Sequence, residues 1–257
     1  MLRKKKGEIE WLEFELFAND PRIVHGIFLR HGGVSSESFA SLNLVRDKGD
    51  FQANVDENQK RLSECIKVKN ITRSKQVHGA EAVMVHDDKN HHLQCDALMT
   101  NKKNLGLMAV HADCQAAILY DPVRQVLATV HAGWRGQVQN IYRSTIKKMQ
   151  TTYNTRPEDL LVGISPSLGP LNSEFKNYRT ELPEHFWRFQ ITPTYFDLWA
   201  IAQHQLEECG VKSHHIEIAR IDTYANPHDF FSYRRQRAKG LSDNITGGHG
   251  TIAALKN

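Results

Sequence analysis

Short runs of apolar residues recur through the middle of the chain, and their length predicts β-strands. Residues 105–110, 116–120 and 126–131 form three such runs, and Asp121-Pro122 supplies a turn between the second and the third. A fourth run, 160–164, follows a proline that ends the preceding segment. We therefore expect a buried sheet built from neighbouring strands.

Other segments carry apolar residues at steps of three and four, which is the spacing of a helix that packs one face on a core. Asp197 and Gly210 supply a start and a stop signal for one of them. The three apolar stripes are Val138, Ile141, Tyr142, Thr145, Ile146, Met149 and Tyr153; Val55, Leu62, Cys65 and Ile66; and Leu198, Ile201, Leu206 and Cys209.

Alternation of these elements predicts an α/β to α+β fold, a single domain over 1–257 with a mixed β-sheet flanked by helices. Residues 1–10 are polar and basic, so we predict a loose N-terminal tail. The aromatic and basic segment 230–235 predicts a strand with Arg234 and Arg235 on opposite faces. Residues 239–250 predict a mobile loop, and the histidine pairs at 91–92 and 214–215 predict exposed loops.

Composition narrows the class of protein. The 257 residues are 40% hydrophobic and 24% charged, with a formal charge of +4, which is ordinary for a globular protein. No apolar run approaches the length of a membrane span, and the short basic start lacks the apolar part of a signal peptide. Four scattered cysteines indicate a reducing, cytoplasmic setting. We expect neither a nucleic-acid nor a membrane partner.

The candidate catalytic or metal-binding residues are His78, Cys114 and His131, each beside a predicted strand end. Their spacing is too long for a zinc finger, but three imidazole and thiolate ligands suit a catalytic Zn²⁺ with an open fourth position. A cysteine hydrolase, with Cys114 as nucleophile and His131 as base, is an alternative. A further alternative is that all three residues are structural. His111 and Asp113 are possible additional members of either site.

A second feature suggests anion binding. Arg30 precedes the glycine pair 32–33, whose amides could approach phosphate closely, and its guanidinium offers a bidentate fork. Trp134 and Arg135 stand between two glycines and could stack on a ligand and bind an anion, or simply clamp the start of a helix. The alternative for the glycine pair is an ordinary turn.

Several motifs occur together in one order along the chain. They are Arg30-His-Gly-Gly-Val-Ser, Ser41-Leu-Asn-Leu, Gln76-Val-His-Gly, Asp96-Ala-Leu-Met-Thr, Ala112-Asp-Cys, Asp121-Pro, His131-Ala-Gly-Trp-Arg-Gly and Phe230-Phe-Ser-Tyr-Arg-Arg. In this combination the chain strongly resembles the YfiH-like, laccase-domain family of purine nucleoside phosphorylases, formerly described as multicopper polyphenol oxidoreductases. The resemblance extends from about residue 23 to the C-terminus.

This resemblance implies zinc on the residues matching His78, Cys114 and His131, and phosphorolysis of adenosine, inosine, guanosine or methylthioadenosine. It also implies adenosine deamination as a side activity, and some members are linked instead to amide hydrolysis that edits peptidoglycan precursors. A non-catalytic zinc-binding interaction protein is the remaining alternative. Copper is the less favoured metal, because a blue-copper site needs a weak axial ligand and a cupredoxin-like sandwich.

Roles follow for the individual residues. We expect Arg30 and the glycine amides to hold phosphate, Asn43 and Gln76 to bind ribose or base, and Arg135 to bind substrate. Asp113 is the candidate general acid and base, beside Cys114 and His131, and its alternative role is to orient a metal ligand. The expected partners are a small nucleoside and phosphate, and the expected state is a monomer.

This chain also departs from the family pattern. His111 stands where a threonine is usual, and Asp222 replaces a cysteine before Thr-Tyr224. Ser173-Glu-Phe replaces Tyr-Glu-Val, and Thr246-Gly-Gly-His replaces Thr-Gly-Arg. These changes bear on substrate preference more than on metal binding.

Overall fold

β-Strands occur along the whole length of the chain, from the N-terminal to the C-terminal segment. The computed structural model describes residues 1–46, 48–89, 93–240 and 245–257. In chain order, the strands are β1 Leu2–Lys6, β2 Ile9–Glu13, β3 Ile23–Phe28, β4 Asn70–Thr72, β5 Ala82–Met84, β6 Ala97–Thr100, β7 Leu105–His111, β8 Gln115–Asp121, β9 Val126–Ala132, β10 Leu161–Ile164, β11 Gln190–Thr192, β12 Tyr195–Phe196, β13 Ile216–Ile218 and β14 His249–Leu255.

Helices fill the intervals between the strands. The α-helices are α1 Gln52–Ile66, α2 Trp134–Val138, α3 Ile141–Tyr153, α4 Tyr178–Glu181, α5 Leu198–Glu208 and α6 Tyr233–Ala238. Short 3-10 helices occur at Glu15–Phe17, Glu37–Phe39, Pro157–Asp159, Glu184–Phe189 and Ser213–His215.

Two mixed sheets lie face to face between outer helices. The first has the strand order β1-β2-β3-β14-β7-β4, and the second has the order β13-β10-β8-β9-β6-β5. Apolar side chains such as Leu107 and Ile27 from the first sheet and Ile118 from the second form the core between them. Helix α1 covers the outer face of the first sheet, and α3 and α5 cover that of the second. The predicted mixed α/β class is confirmed, with two stacked sheets.

This layering explains the uniformly apolar central strands. Every residue of β8 and β9 is buried, because one face of the sheet packs on the other sheet and the opposite face packs on helices. The predicted capping of α5 is also confirmed. The Asp197 side chain accepts a hydrogen bond from the amide of Ala200, and Gly210 follows the helix with a φ of +93°.

The predicted N-terminal tail is wrong, because residues 2–6 form the edge strand β1. It pairs antiparallel with β2 in a hairpin, with Lys6 opposite Ile9. Its basic side chains face solvent and acidic neighbours, and Arg3 forms an ion pair with Glu10. Exposed edge strands are often protected by charged side chains, so their sequence lacks the apolar alternation of a central strand.

Two predictions near the C-terminus are also corrected. The segment around Tyr233 forms helix α6 instead of a strand, because the Ser232 side chain caps it by accepting a hydrogen bond from the amide of Arg235. The predicted loop 239–250 is shorter than expected, since His249 and Gly250 begin the buried strand β14. Residues 241–244 and the histidine pair 91–92 lie outside the described residues.

Two buried histidines predict a loss of stability in mild acid. His25 and His249 each accept a hydrogen bond from a main-chain amide, those of Phe14 and Phe231. Burial lowers the pKa of both imidazoles to about 4. Between about pH 6.5 and 4 the unfolded chain therefore binds more protons than the folded one, and the free energy of unfolding falls as pH decreases. We expect a loss on the order of a few kcal/mol.

Urea denaturation of the metal-free protein at pH 7 and pH 5 measures this effect. His25→Gln should reduce the dependence on pH, whereas His86→Gln, at an exposed histidine, should leave it unchanged. Equal unfolding free energies at the two pH values would contradict the prediction.

Candidate metal centre

Strand register brings Cys114 and His131 to one end of the second sheet. Strands β8 and β9 are antiparallel, with Ala116 opposite His131 and Gln115 opposite Ala132. Cys114 directly precedes β8, so it lies against Gly133 at the end of β9. A Cβ atom added to Gly133 would lie 3.2 Å from Cys114 Sγ and 2.8 Å from His78 Cδ2. Cys114 and His78 can therefore approach the main chain here only because residue 133 is glycine and has no side chain.

Asp96 holds the other side of the site together. Its buried carboxylate accepts hydrogen bonds from three successive amides, those of Val77 (3.2 Å), His78 (2.9 Å) and Gly79 (2.8 Å). It also lies 2.8 Å from Nδ1 of His131. In its neutral form, an imidazole that donates from Nδ1 to a carboxylate has an unprotonated Nε2, as metal-ligating histidines commonly do.

Sequence reasoning assigned Asp96 no role. It belongs to one of the family motifs, and the structure shows that its side chain is buried directly before strand β6, which is unusual for an aspartate. The signal available in the sequence was an acidic residue placed directly before an apolar strand.

The structure brings together the three residues predicted as metal ligands. The donor atoms of His78, Cys114 and His131 all lie within 4.8 Å of one another. Cys114 Sγ is 4.0 Å from His78 Nε2. Tetrahedral zinc with usual bond lengths would place such a sulfur and nitrogen about 3.6 Å apart. Two imidazoles and a thiol at this spacing fit a borderline-soft divalent metal, so the residues present can hold one.

Electrostatics favour the thiolate form of Cys114. Burial opposes ionisation, but His131 and His78 outweigh it and lower the pKa of the Cys114 thiol to about 6. Burial also acts against a charged His131, and there the neighbouring Cys114 and Asp96 raise the imidazole pKa. The thiolate is the form of cysteine that binds metals and attacks electrophiles. Both the ligand and the nucleophile interpretations are therefore chemically accessible.

Two neighbours of Cys114 have structural partners. His111 is buried in β7, and its Nε2 lies 2.8 Å from Thr251 Oγ1, outside the group of three donor atoms. Asp113 was predicted as the general acid and base, but each of its oxygens already accepts a hydrogen bond. The donors are the hydroxyls of Thr223 and Ser232 and the amide of Arg234. We therefore reassign Asp113 to fixing the start of α6 beside Cys114.

Two predicted substrate-binding residues are also occupied within the fold. Asn43 is fully buried, its amide oxygen accepts from the amides of Val45 and Gly248, and its nitrogen donates to Asp50. Gln76 exchanges two hydrogen bonds with the main chain of Val110, at 2.7 and 2.8 Å. Asn43 is therefore engaged within the fold, and Gln76 anchors the loop that carries His78.

The predicted anion loop is only partly supported. The Gly33 amide donates to Ser41 Oγ, and a Cβ atom at Gly33 would lie 2.0 Å from the Ser41 carbonyl oxygen. Because the two chain segments are in direct contact there, the Gly33 amide does not face a ligand. The glycine is required for this close approach.

Arg30 instead lines a cavity of about 370 Å³ whose walls include Arg235 and Lys239. Its Nε donates to the carbonyl of Ala40, and its guanidinium lies 4.6 Å from the centre of the Phe231 ring. Burial and the neighbouring Arg235 lower the pKa of Arg30, which indicates a concentration of positive charge. Three cationic side chains and one carboxylate, that of Glu37, line the cavity, and this excess of positive charge favours an anion.

Ser232 connects this cavity to the candidate metal centre. It lines the cavity, and its hydroxyl donates to Asp113, the residue before Cys114. Arg135 is exposed in α2, two residues after Gly133, and its guanidinium stacks over Trp134 at 4.4 Å from the ring centre.

Gly133→Ala should displace His78 and weaken metal binding. The added methyl group would approach the imidazole to 2.8 Å, closer than normal packing allows. We expect metal affinity to fall by about 10-fold or more, as for other changes that misorient a ligand. Zinc titration against a competing chelator measures this.

Gly79→Ala is the matched control for that substitution. Its added methyl group would meet the Asp96 carboxylate at 3.6 Å, an ordinary contact. Equal zinc affinities of the two variants would show that the Gly133 contact does not limit the site.

The fold places this chain among domains with two stacked mixed sheets, and its three-residue donor group could hold a metal ion. The family described as multi-copper polyphenol oxidoreductase laccase matches residues 24–255, and the chain belongs to it. This confirms the resemblance seen in the motifs. A protein of Bacteroides thetaiotaomicron named purine nucleoside phosphorylase is 30% identical over 244 residues, which cover 87% of this chain and 90% of that protein.

A second relative and a solved structure are similar to this chain over most of its length. The purine nucleoside phosphorylase YlmD of Geobacillus stearothermophilus is 30% identical over 83% of this chain and 85% of its own length. The crystal structure of YlmD from that organism matches 99% of both chains with a TM-score of 0.87 and 27% identity. Across the described ranges, no helix of this protein has both the length and the apolar character needed to span a bilayer.

Proposed function

We propose that this protein is a purine nucleoside phosphorylase that depends on zinc held by His78, Cys114 and His131. The observation that carries the proposal is the convergence of these three donor atoms around Gly133, with Asp96 orienting His131. The relatives named purine nucleoside phosphorylase supply the reaction class. Bound zinc would supply Lewis-acid polarisation, a template for the nucleoside and activation of water.

The residues of the chain account for the other requirements of phosphorolysis. Arg30, Arg235 and Lys239 offer positive charge for phosphate in the cavity that they line. Asp96 holds His131 in the tautomer whose Nε2 faces the site. Asp113 fixes the start of α6 beside Cys114, and so keeps the cavity wall at Ser232 in place. The products would be a free purine base and a ribose phosphate.

Substrate classes follow from the same proposal. We propose adenosine, inosine, guanosine and methylthioadenosine as nucleosides, and deamination of adenosine as a side activity. Phosphorolysis of adenosine releases adenine only with phosphate, whereas deamination converts it to inosine without phosphate. Chromatography of the products therefore separates the two activities in one incubation.

The test combines a phosphate-dependent nucleoside screen with metal analysis of purified protein. The proposal expects tightly bound zinc and base release that rises with phosphate. Arg30→Lys should raise the KM for phosphate, because lysine lacks the planar guanidinium fork. Base release that is independent of phosphate, with no sugar phosphate formed, would contradict the phosphorylase. Copper in place of zinc would contradict the metal assignment.

A cysteine hydrolase is the second candidate, and one observation favours it. Asp96, His131 and Cys114 lie in series, as the orienting acid, base and nucleophile of a hydrolase do. This candidate expects amide hydrolysis that survives chelation and is abolished by rapid alkylation of Cys114. In the phosphorylase, bound zinc should protect the same thiol from alkylation.

A further inference from the structure

A second group of metal-ligand side chains lies outside the centre described above. His31 follows β3, and His228 and Asp229 precede α6. The donor atoms of these three residues all lie within 4.8 Å of one another. Neither the family resemblance nor the predicted site includes this group.

The spacing of these donors is close to that of a coordination sphere. His31 Nε2 is 2.8 Å from Asp229 Oδ1, and His228 Nε2 is 3.9 Å from the same oxygen. Zinc with usual bond lengths holds two tetrahedral nitrogen or oxygen ligands about 3.3 Å apart. If His31 moved away from the Asp229 oxygen and His228 moved towards it, each by about half an ångström, both imidazole nitrogens would lie at that distance from the oxygen.

The surrounding main chain and an ion pair hold the group in position. The amide of Arg30 donates to the carbonyl of Asp229, so the two loops are joined next to the donors. Arg3 donates to both carboxylate oxygens of Asp229, at 2.8 and 2.9 Å, and its Nε donates to Glu10. This arrangement orients the carboxylate, and Glu10 offsets the positive charge of Arg3.

The group is also accessible to ions from solvent. The side chains of His31 and Asp229 are about one-fifth exposed, at 22% and 21%, and that of His228 is 86% exposed. An ion pair that served only to stabilise the fold would not need to be accessible to solvent. The mobility of an exposed histidine allows it to close over an ion that the two more buried donors hold.

We propose that His31, His228 and Asp229 form a second site for a divalent transition metal such as Zn²⁺. Two imidazoles and one carboxylate are a common set for such ions. This site is weaker than the first, because it has no thiolate and Arg3 lies beside its carboxylate.

The position of the second site links it to the anion cavity. Arg30 and Pro227 both line that cavity, and each is adjacent in sequence to one of the proposed ligands. The guanidinium of Arg30 also donates to the Pro227 carbonyl at 3.0 Å. A metal on the second site would therefore fix two walls of the cavity relative to each other.

Calorimetric titration of the untagged, metal-free protein with Zn²⁺ tests the proposal. Two binding phases are expected, each with about one ion per chain. His228→Ala should remove the weaker phase and keep the tighter one, and it is safe for folding because the side chain is mostly exposed. The double substitution His78→Ala, Cys114→Ser should do the reverse. His86→Ala, at an exposed histidine elsewhere, should keep both phases.

Cobalt supplies an independent readout. Co²⁺ bound by Cys114 gives thiolate charge-transfer absorption, whereas Co²⁺ on the second site gives none, so the two ions can be counted separately. Asp229→Asn should weaken the phase without charge transfer by about 10-fold or more, because it removes the anionic ligand. A single phase in the wild-type protein, or a weaker phase unchanged in His228→Ala, would show that the group is only an ion-pair cluster.

Discussion

Cys114→Ser is expected to abolish tight zinc binding and reduce kcat/KM for phosphorolysis by about 1000-fold. The physical reason is the loss of the thiolate, which a pKa of about 6 keeps ionised at neutral pH and which is the one anionic donor among the three residues. Serine has nearly the same size but does not ionise at neutral pH. Metal analysis and a phosphate-dependent assay on the same preparation measure both effects.

Cys65→Ser is the matched control for this experiment. Cys65 is a half-buried cysteine at the end of α1, and burial raises the pKa of its thiol. We expect this variant to retain zinc and activity. If Cys114→Ser kept its zinc yet lost all activity, the nucleophile interpretation would be favoured over the ligand one.

Asp96→Asn is expected to weaken metal binding by about 10- to 100-fold and also to destabilise the fold. The carboxylate accepts three main-chain amides and faces Nδ1 of His131. An asparagine can present only one acceptor oxygen, so its NH₂ group would oppose an amide or the imidazole. Loss of the charge also removes the partner of a buried histidine, which costs about 3–5 kcal/mol when such a pair is broken.

Two measurements separate the effects of Asp96→Asn. Urea denaturation of metal-free protein gives the loss of stability, and zinc competition under fully folded conditions gives the loss of affinity. Asp222→Asn is a suitable control, since Asp222 is also a loop carboxylate that accepts a main-chain amide, that of Tyr224. Normal zinc affinity in Asp96→Asn would show that orientation of His131 does not depend on the carboxylate.

Two of the three candidate ligands, Cys114 and His131, could be predicted from sequence because they stand at strand ends, whereas His78 lies in the loop between β4 and β5. His131 lies near the end of one apolar run and Cys114 precedes another, and short apolar runs bounded by turn signals favour strands. The prediction also needed only residue types, since thiol and imidazole side chains are the usual zinc donors. Their mutual distances depend on the stacking of two sheets, which no local pattern encodes.

Structural hydrogen bonds weigh against several of the roles predicted for polar residues. Asn43, Gln76 and Asp113 have polar side chains in motif positions, and sequence alone does not show whether such groups face a ligand or the main chain. In the fold, each is satisfied internally. Buried polar groups need such partners, so a polar residue in a dense loop is often a structural one.

Local signals also conflicted at the two ends of the chain. Phe230-Phe231 suggested a strand, but the hydrogen bond from Arg235 to Ser232 starts a helix two residues later. At the N-terminus, a run of basic residues concealed β1, whose pairing is determined by its hairpin partner β2. At β1 the deciding interaction lay outside the residues that formed the pattern, and at α6 it was a capping hydrogen bond within them.

The candidate metal centre lies across the boundary between the two sheets. His78 follows β4 of the first sheet, His131 belongs to β9 of the second, and Cys114 lies in the turn that passes from one sheet to the other. A metal bound by all three residues would cross-link the two sheets, which otherwise contact each other through apolar side chains. In the His228→Ala background, which lacks the second site, thermal melting would then report occupancy of this centre, and a collection of variants could be ranked for metal loading without an enzymatic assay.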